Sequence, residues 1–166
     1  NNDAKTLGAQ IVWTPFEGLT MFQNWIHGAE QANNSQDMRT VWDGIVAWQL
    51  MERLALNINY DLGSETVGGM TARWSGIAGM CRYTFNEEVA GCVRGELFRD
   101  NDGLQTGTPQ RLHEVTATAE WRAYAQLLLR MEFRTDWSDA VVFDGHDGAA
   151  SRNQQSTLAV GVIVEF

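Results

Sequence analysis

Apolar and polar residues alternate along most of this chain, and the alternation comes in pairs of runs separated by short gaps. A period of two is the signature of half-buried strands. Four times an aromatic residue is followed by five residues and then an aliphatic one: Trp13-TPFEG-Leu19, Trp48-QLMER-Leu54, Tyr83-TFNEE-Val89 and Trp121-RAYAQ-Leu127. The aromatic anchors 13, 48, 83 and 121 recur at intervals of 35, 35 and 38 residues. A fixed period implies a repeated supersecondary unit, here a strand–turn–strand hairpin with an expected five-residue turn.

Every second residue counted from the anchors defines one face. It carries Leu7, Ile11 and Trp13, then Trp42, Val46 and Trp48, then Leu54, Leu56, Ile58 and Tyr60, and so on to Val160, Val162, Val164 and Phe166. None of its positions is charged. The opposite face holds Asp43, Asn57, Asn59, Asp61, Arg82, Arg94, Glu96, Glu114, Glu120, Arg130, Glu132, Arg134, Asp136 and Glu165. Two strands at each short turn, plus a closing strand that ends at Phe166, give about nine antiparallel strands in an up-and-down order. One all-β domain over residues 1–166 accounts for the whole chain.

A water-soluble barrel would show the same alternation with its charged face outward. Three observations favour the inverted, transmembrane arrangement. An aromatic row (Trp13, Trp48, Tyr83, Trp121, Phe166) closes the apolar face at one height, as an interfacial girdle does. The hairpins have short turns at one end and long polar loops at the other, at 27–38, 63–73, 100–111 and 138–156, the habit of short periplasmic turns and long external loops. The last strand, finally, ends on an aromatic residue. These features predict a barrel in a bacterial outer membrane, with lipid against the apolar face and, if the lumen is wide, small solutes or ions as the matter passed.

Composition removes competing classes. The chain has 166 residues, a net charge of −9, 44% hydrophobic and 20% charged residues, and a mean hydropathy of −0.28. No apolar run approaches the length of a membrane helix. The acidic balance argues against nucleic acid as a partner. His27, His113 and His146 lack a spacing that would nominate a catalytic triad, so no enzymatic activity and no cofactor are expected. Asp100 and Asp102, and Asp136, Asp139, Asp144, His146 and Asp147, suggest a hard cation, but neither group has a calcium-loop spacing, and solvated acidic loops explain both. No metal site is expected.

The segments NYDLGSE (59–65), WSGIAGMCRY (74–83), RGELFRDNDGLQTGTPQ (94–110) and LLLRMEFRTDWSD (127–139) resemble the β-barrel porin family called OmpL-like. The resemblance spans nearly the whole chain and matches the C-terminal part of a usually longer barrel. It implies an outer-membrane diffusion channel without catalytic residues. The chain departs from the family in the turns QLMER and RAYAQ, and at Phe22 and Gln23, where large and polar residues exchange faces.

Several matters stay open at this stage. The arginines and carboxylates of the charged face would line a channel in a wide barrel or fill a narrow one, leaving a non-conducting structural or surface-binding barrel. A soluble or engineered barrel fragment is a third possibility. Nine strands is an odd number, so another strand, another chain or a parallel seam must close the sheet. The expected five-residue turn pairs Tyr83 with Val89, which puts Cys81 and Cys92 on opposite faces and leaves both thiols free.

Overall fold

The tight turns set the architecture, because a turn of two residues can join only adjacent antiparallel strands. The structure, a computed structural model, describes residues 2–145 and 150–165. Its strands are β1 (Leu7–Phe16), β2 (Leu19–Ala29), β3 (Met38–Met51), β4 (Leu54–Val67), β5 (Met70–Thr84), β6 (Val89–Asp100), β7 (Gln110–Tyr124), β8 (Leu127–Ser138), β9 (Phe143–Asp144), β10 (Ala150–Arg152) and β11 (Gln154–Val164). Nine form one sheet in the order β1-β2-β3-β4-β5-β6-β7-β8-β11, with every neighbouring pair antiparallel. The short strands β9 and β10 pair with each other inside the last long loop.

Three of the four hairpins are tighter than the expected five-residue turns, closing on two residues, while the β5–β6 hairpin keeps five residues between its last pair, Thr84 and Ala90, in a shifted register. Trp13 pairs with Met21, Trp48 with Leu56, Tyr83 with Gly91 and Trp121 with Leu129, each two residues beyond the expected partner. Three of the four reach this register through one extra residue in the descending strand, between Trp13 and Phe16, Gln49 and Met51, and Arg122 and Tyr124. These bulges lead into two-residue turns, and the first of them contains Pro15, whose missing N–H a bulge tolerates. A shift of two leaves each residue on its expected face, because the side-chain period is also two.

One of the four long loops does not exist. The segment 63–73 is mostly strand, since β4 runs to Val67, β5 starts at Met70, and Gly68 and Gly69 alone turn the chain at φ of +57° and +84°. A two-residue turn with both φ values positive needs glycine at no steric cost, and a Gly-Gly pair supplies it.

The register also explains the sequence period. Reading across the sheet from Trp13 leads through Met21 to Val46, two residues short of Trp48; Trp48 leads through Leu56 to Cys81, two short of Tyr83; Tyr83 leads through Gly91 to Ala119, two short of Trp121. The stagger is one residue per strand. With a rise of about 3.3 Å per residue and about 4.8 Å between strands, it corresponds to a strand tilt of about 35°. At that tilt the four anchors come level. The fifth place in the row belongs to Val164, which faces Leu127 as Trp48 faces Leu19 and Trp121 faces Val89. Phe166, expected there, lies outside the described residues.

A ladder bond repeats at the same place in each unit. The residue after each anchor donates its N–H to the last turn residue of the preceding hairpin: Gln49 to Gly18 (2.7 Å), Thr84 to Arg53 (2.8 Å), Arg122 to Glu88 (2.7 Å) and Glu165 to Gln126 (2.9 Å).

Burial is inverted relative to a water-soluble protein. The buried side chains include Glu65 (1% exposed), Asp100 (0%), Glu114 (4%) and Asp136 (6%), whereas Ile11, Leu158, Val160 and Val162 are each more than 60% exposed. The accessible surface is 11110 Å², against the roughly 8,200 Å² that scaling gives a folded soluble monomer of this mass. A single sheet layer whose apolar face is left exposed accounts for the excess. Among the described residues, β1 and β11 are its two edges.

Candidate functional site

Alternation along each strand and the observed register place Asp43, Asn57, Asn59, Asp61, Arg82, Arg94, Glu96, Glu114, Glu120, Arg130, Glu132 and Arg134 on one face. Trp13, Trp48, Tyr83 and Trp121 lie on the other and are all exposed. Polar groups that share a low-dielectric face must satisfy one another. They do so in four groups.

On β2–β4, Asp43 accepts hydrogen bonds from Asn24 and from Asn59 Nδ2 (2.7 Å), and Asp61 stands opposite Asp43. On β5–β8 nearer the short turns, Glu120 is held between two arginines, Arg82 at 2.9 Å and Arg130 at 2.6 Å, and Thr118 donates to Glu132 at 3.2 Å. Farther from those turns, Arg94 bridges Glu96 and Glu114, Thr116 donates to Glu114, and Arg134 meets Asp136 at 2.7 Å. Gln155 of β11 completes this group with a 3.1 Å bond to Asp136.

The fourth group escaped the sequence because its residues lie in or beside a supposed loop. Glu65 takes two bonds from Arg39 (2.6 and 2.8 Å) and one from Gln31 (3.1 Å), and the Arg39 guanidinium lies 6.0 Å from the centre of the Trp74 ring. The Gly68–Gly69 pair was the available signal, since it extends β4 and β5 far enough to place Glu65 and Trp74 on the charged face. No buried side-chain nitrogen or oxygen among the described residues lacks a partner.

The acidic loop residues bind protein donors. Asp100 accepts from the backbone N–H groups of Leu104, Gln105 and Thr106 (3.1, 2.9 and 2.8 Å) and from the Thr106 hydroxyl (2.9 Å), which orders the loop between β6 and β7. Asp102 accepts from Arg73 N–H (2.8 Å) and Asp139 from Arg111 N–H (2.7 Å). Among the described residues no group of three or more His, Cys, Asp or Glu side chains is arranged so that it could hold a metal ion. His146 and Asp147 lie outside the described residues. His27 stacks on Trp25 and shares a hydrogen bond with Thr40, and His113 sits on the apolar face opposite Leu97.

The thiols are free. Cys81 lies opposite Val93 and Cys92 opposite Arg82, so they occupy opposite faces, and the shifted register changes their partners without changing that outcome.

Gln23 forms a polar cluster on the apolar face. Gln23 Oε1 accepts from Tyr60 Oη (2.5 Å) and Trp42 Nε1 (3.0 Å), while its amide nitrogen donates to the carbonyl of Phe22 (2.8 Å). Gly44 makes room for it, because a Cβ there would stand 2.3 Å from the Tyr60 ring. The face exchange at Phe22 and Gln23 is therefore accommodated by a satisfied side chain.

An antiparallel up-and-down sheet with buried charges, exposed aliphatic residues and a level aromatic row belongs to the class of membrane-embedded β-barrels. Comparison with known families then identifies the chain more closely. A family model described as "Putative beta-barrel porin-2, OmpL-like" matches residues 1–166, and the chain belongs to that family. No curated protein and no solved structure gives a significant match.

Proposed function

We propose that the protein is an outer-membrane porin through which small solutes or ions diffuse passively, with the charged face lining the lumen. The observation that carries this reading is the inverted burial: carboxylates are covered while Val, Leu, Ile and Trp side chains are bare. Such a surface is stable against hydrocarbon and unstable against water. The proposed lumen is lined by Asp43, Asn57, Asn59, Asp61, Arg82, Arg94, Glu96, Glu114, Glu120, Arg130, Glu132 and Arg134. Within this set the six carboxylates outnumber the four arginines. A water-filled passage so lined favours cations.

Reconstitution in planar bilayers tests the proposal. Discrete conductance steps are expected, with a reversal potential in a salt gradient displaced toward that of the cation. A silent bilayer from protein that has demonstrably inserted would refute it. One observation favours the second reading, a barrel plugged by its own ion pairs: Glu120, Glu114 and Asp136 already hold arginine partners. That version predicts insertion without conductance.

A further inference from the structure

A cavity of about 370 Å³ opens on the charged face where the last long loop returns to the sheet, and its lining includes Glu96, Phe98, Leu112, Asp136 and Phe143. Its composition changes row by row. Glu96, Glu114 and Asp136 pair in sequence across β6, β7 and β8, setting three carboxylates side by side. The next row toward the short turns is Arg94, Thr116 and Arg134, and the next row the other way begins with Phe98 and Leu112. Phe143 reaches the cavity from β9, which is anchored by its pairing with β10 and by Val142 N–H donating to the Arg152 carbonyl at 3.0 Å.

Counting charge shows what the cavity lacks. Among the described residues three carboxylates face two guanidiniums, leaving one negative charge in excess, and His113 also lines the cavity. Both oxygens of Glu114 are engaged, by Arg94 and Thr116, and both of Asp136, by Arg134 and Gln155. Glu96 gives one oxygen to Arg94, and its other oxygen has no donor among the described residues. Its side chain is 30% exposed. A carboxylate with a free oxygen stands beside a cavity walled by two phenylalanines and a leucine, an arrangement that suits an ammonium carried on an apolar body.

We propose that this cavity binds small singly charged organic cations, with the ammonium against Glu96 and the apolar body among Phe98, Leu112 and Phe143. The site rests on the porin reading for the route by which a solute reaches it, and binding itself does not depend on conduction.

The test is equilibrium binding of benzylammonium to the whole chain, folded in detergent, by titration calorimetry. Benzyl alcohol serves as the uncharged probe of the same shape. Saturable binding of benzylammonium is expected, at least about tenfold tighter than that of benzyl alcohol, the effect of one partly exposed charge contact. Glu96→Gln should weaken it by about tenfold and Phe143→Ala by about threefold. Glu52→Gln, in the exposed short turn between β3 and β4 at the other end of the sheet, should leave it unchanged, and circular dichroism checks that each variant keeps its strand content. Absence of saturable binding, equal affinity for benzyl alcohol, or an unaltered Glu96→Gln variant would each overturn the site. Conductance separates the two proposals: a channel that conducts without binding benzylammonium keeps the porin reading and loses this site, and the reverse result keeps the site and loses the porin.

Discussion

Phe133 and Leu129 occupy the same face of β8, four residues apart, yet the register gives them different depths. Leu129 pairs with Trp121 and, with the stagger of one residue per strand, sits one residue inside the level of the aromatic row. Phe133, 51% exposed, stands close to the middle of an apolar band about 25 Å tall, since each tilted residue rises about 2.7 Å. Substitution by arginine should reflect that difference. Phe133→Arg is expected to destabilise the inserted protein by about 2–4 kcal/mol and Leu129→Arg by about 0–1 kcal/mol, read from urea unfolding in lipid vesicles. Equal effects at the two positions would mean that the depth scale, and with it the common height of the anchors, is wrong. The cysteines offer a check on the faces themselves. Cys81 and Cys92 face opposite sides of one hairpin, so denaturation without reductant should let an alkylating reagent add to both, which intact-mass spectrometry counts.

At the scale of the element, the Gly68–Gly69 turn isolates a backbone effect from packing. A Cβ at either position would meet nothing within 4 Å, so any cost of substitution comes from the positive φ alone. Gly68→Val should cost about 1–2 kcal/mol or more, while Gly68→Asn, which tolerates the left-handed region, should cost less. Equal stabilities in the same unfolding assay would show that the turn does not hold this geometry. The turn also marks where the sequence could be read and where it could not. The faces were legible, because a register error of two residues moves Tyr83 from Gly91 to Val89 without turning a single side chain over. The ends of β4 and β5 were not. Ser64, Glu65 and Thr66 look like loop in composition, and their place in a strand is fixed by a cross-strand partner, Arg39, that lies 26 residues away. The cluster around Glu65 was hidden for the same reason. Phe143 was hidden differently, since its approach to Glu96 depends on the path of a loop and has no periodic trace.

For the whole molecule the decisive quantity is direction. Strand β1 runs from the long-loop end to the short-turn end, and so does β11, because eight antiparallel steps separate them. Joined directly, they would form a parallel seam. In hydrocarbon an open edge leaves a row of unpaired N–H and C=O groups at several kcal/mol each, so both edges need partners. An odd number of further strands between them, on this chain or another, supplies antiparallel neighbours on both sides. Distance distinguishes the arrangements. Directly paired strands bring facing Cα atoms to about 5 Å, within reach of a disulfide, whereas one intervening strand separates them by about 9.6 Å, beyond it. With Cys81 and Cys92 replaced by serine, Ala9→Cys can be combined in turn with Leu158→Cys, Val160→Cys and Val162→Cys, which bracket the same height on the apolar face. No disulfide within one chain is expected from any of the three pairs after mild oxidation in vesicles, as judged by gel mobility with and without reductant. A bridge forming in any of them would mean that β1 and β11 close the barrel directly and in parallel, and that nine strands are sufficient.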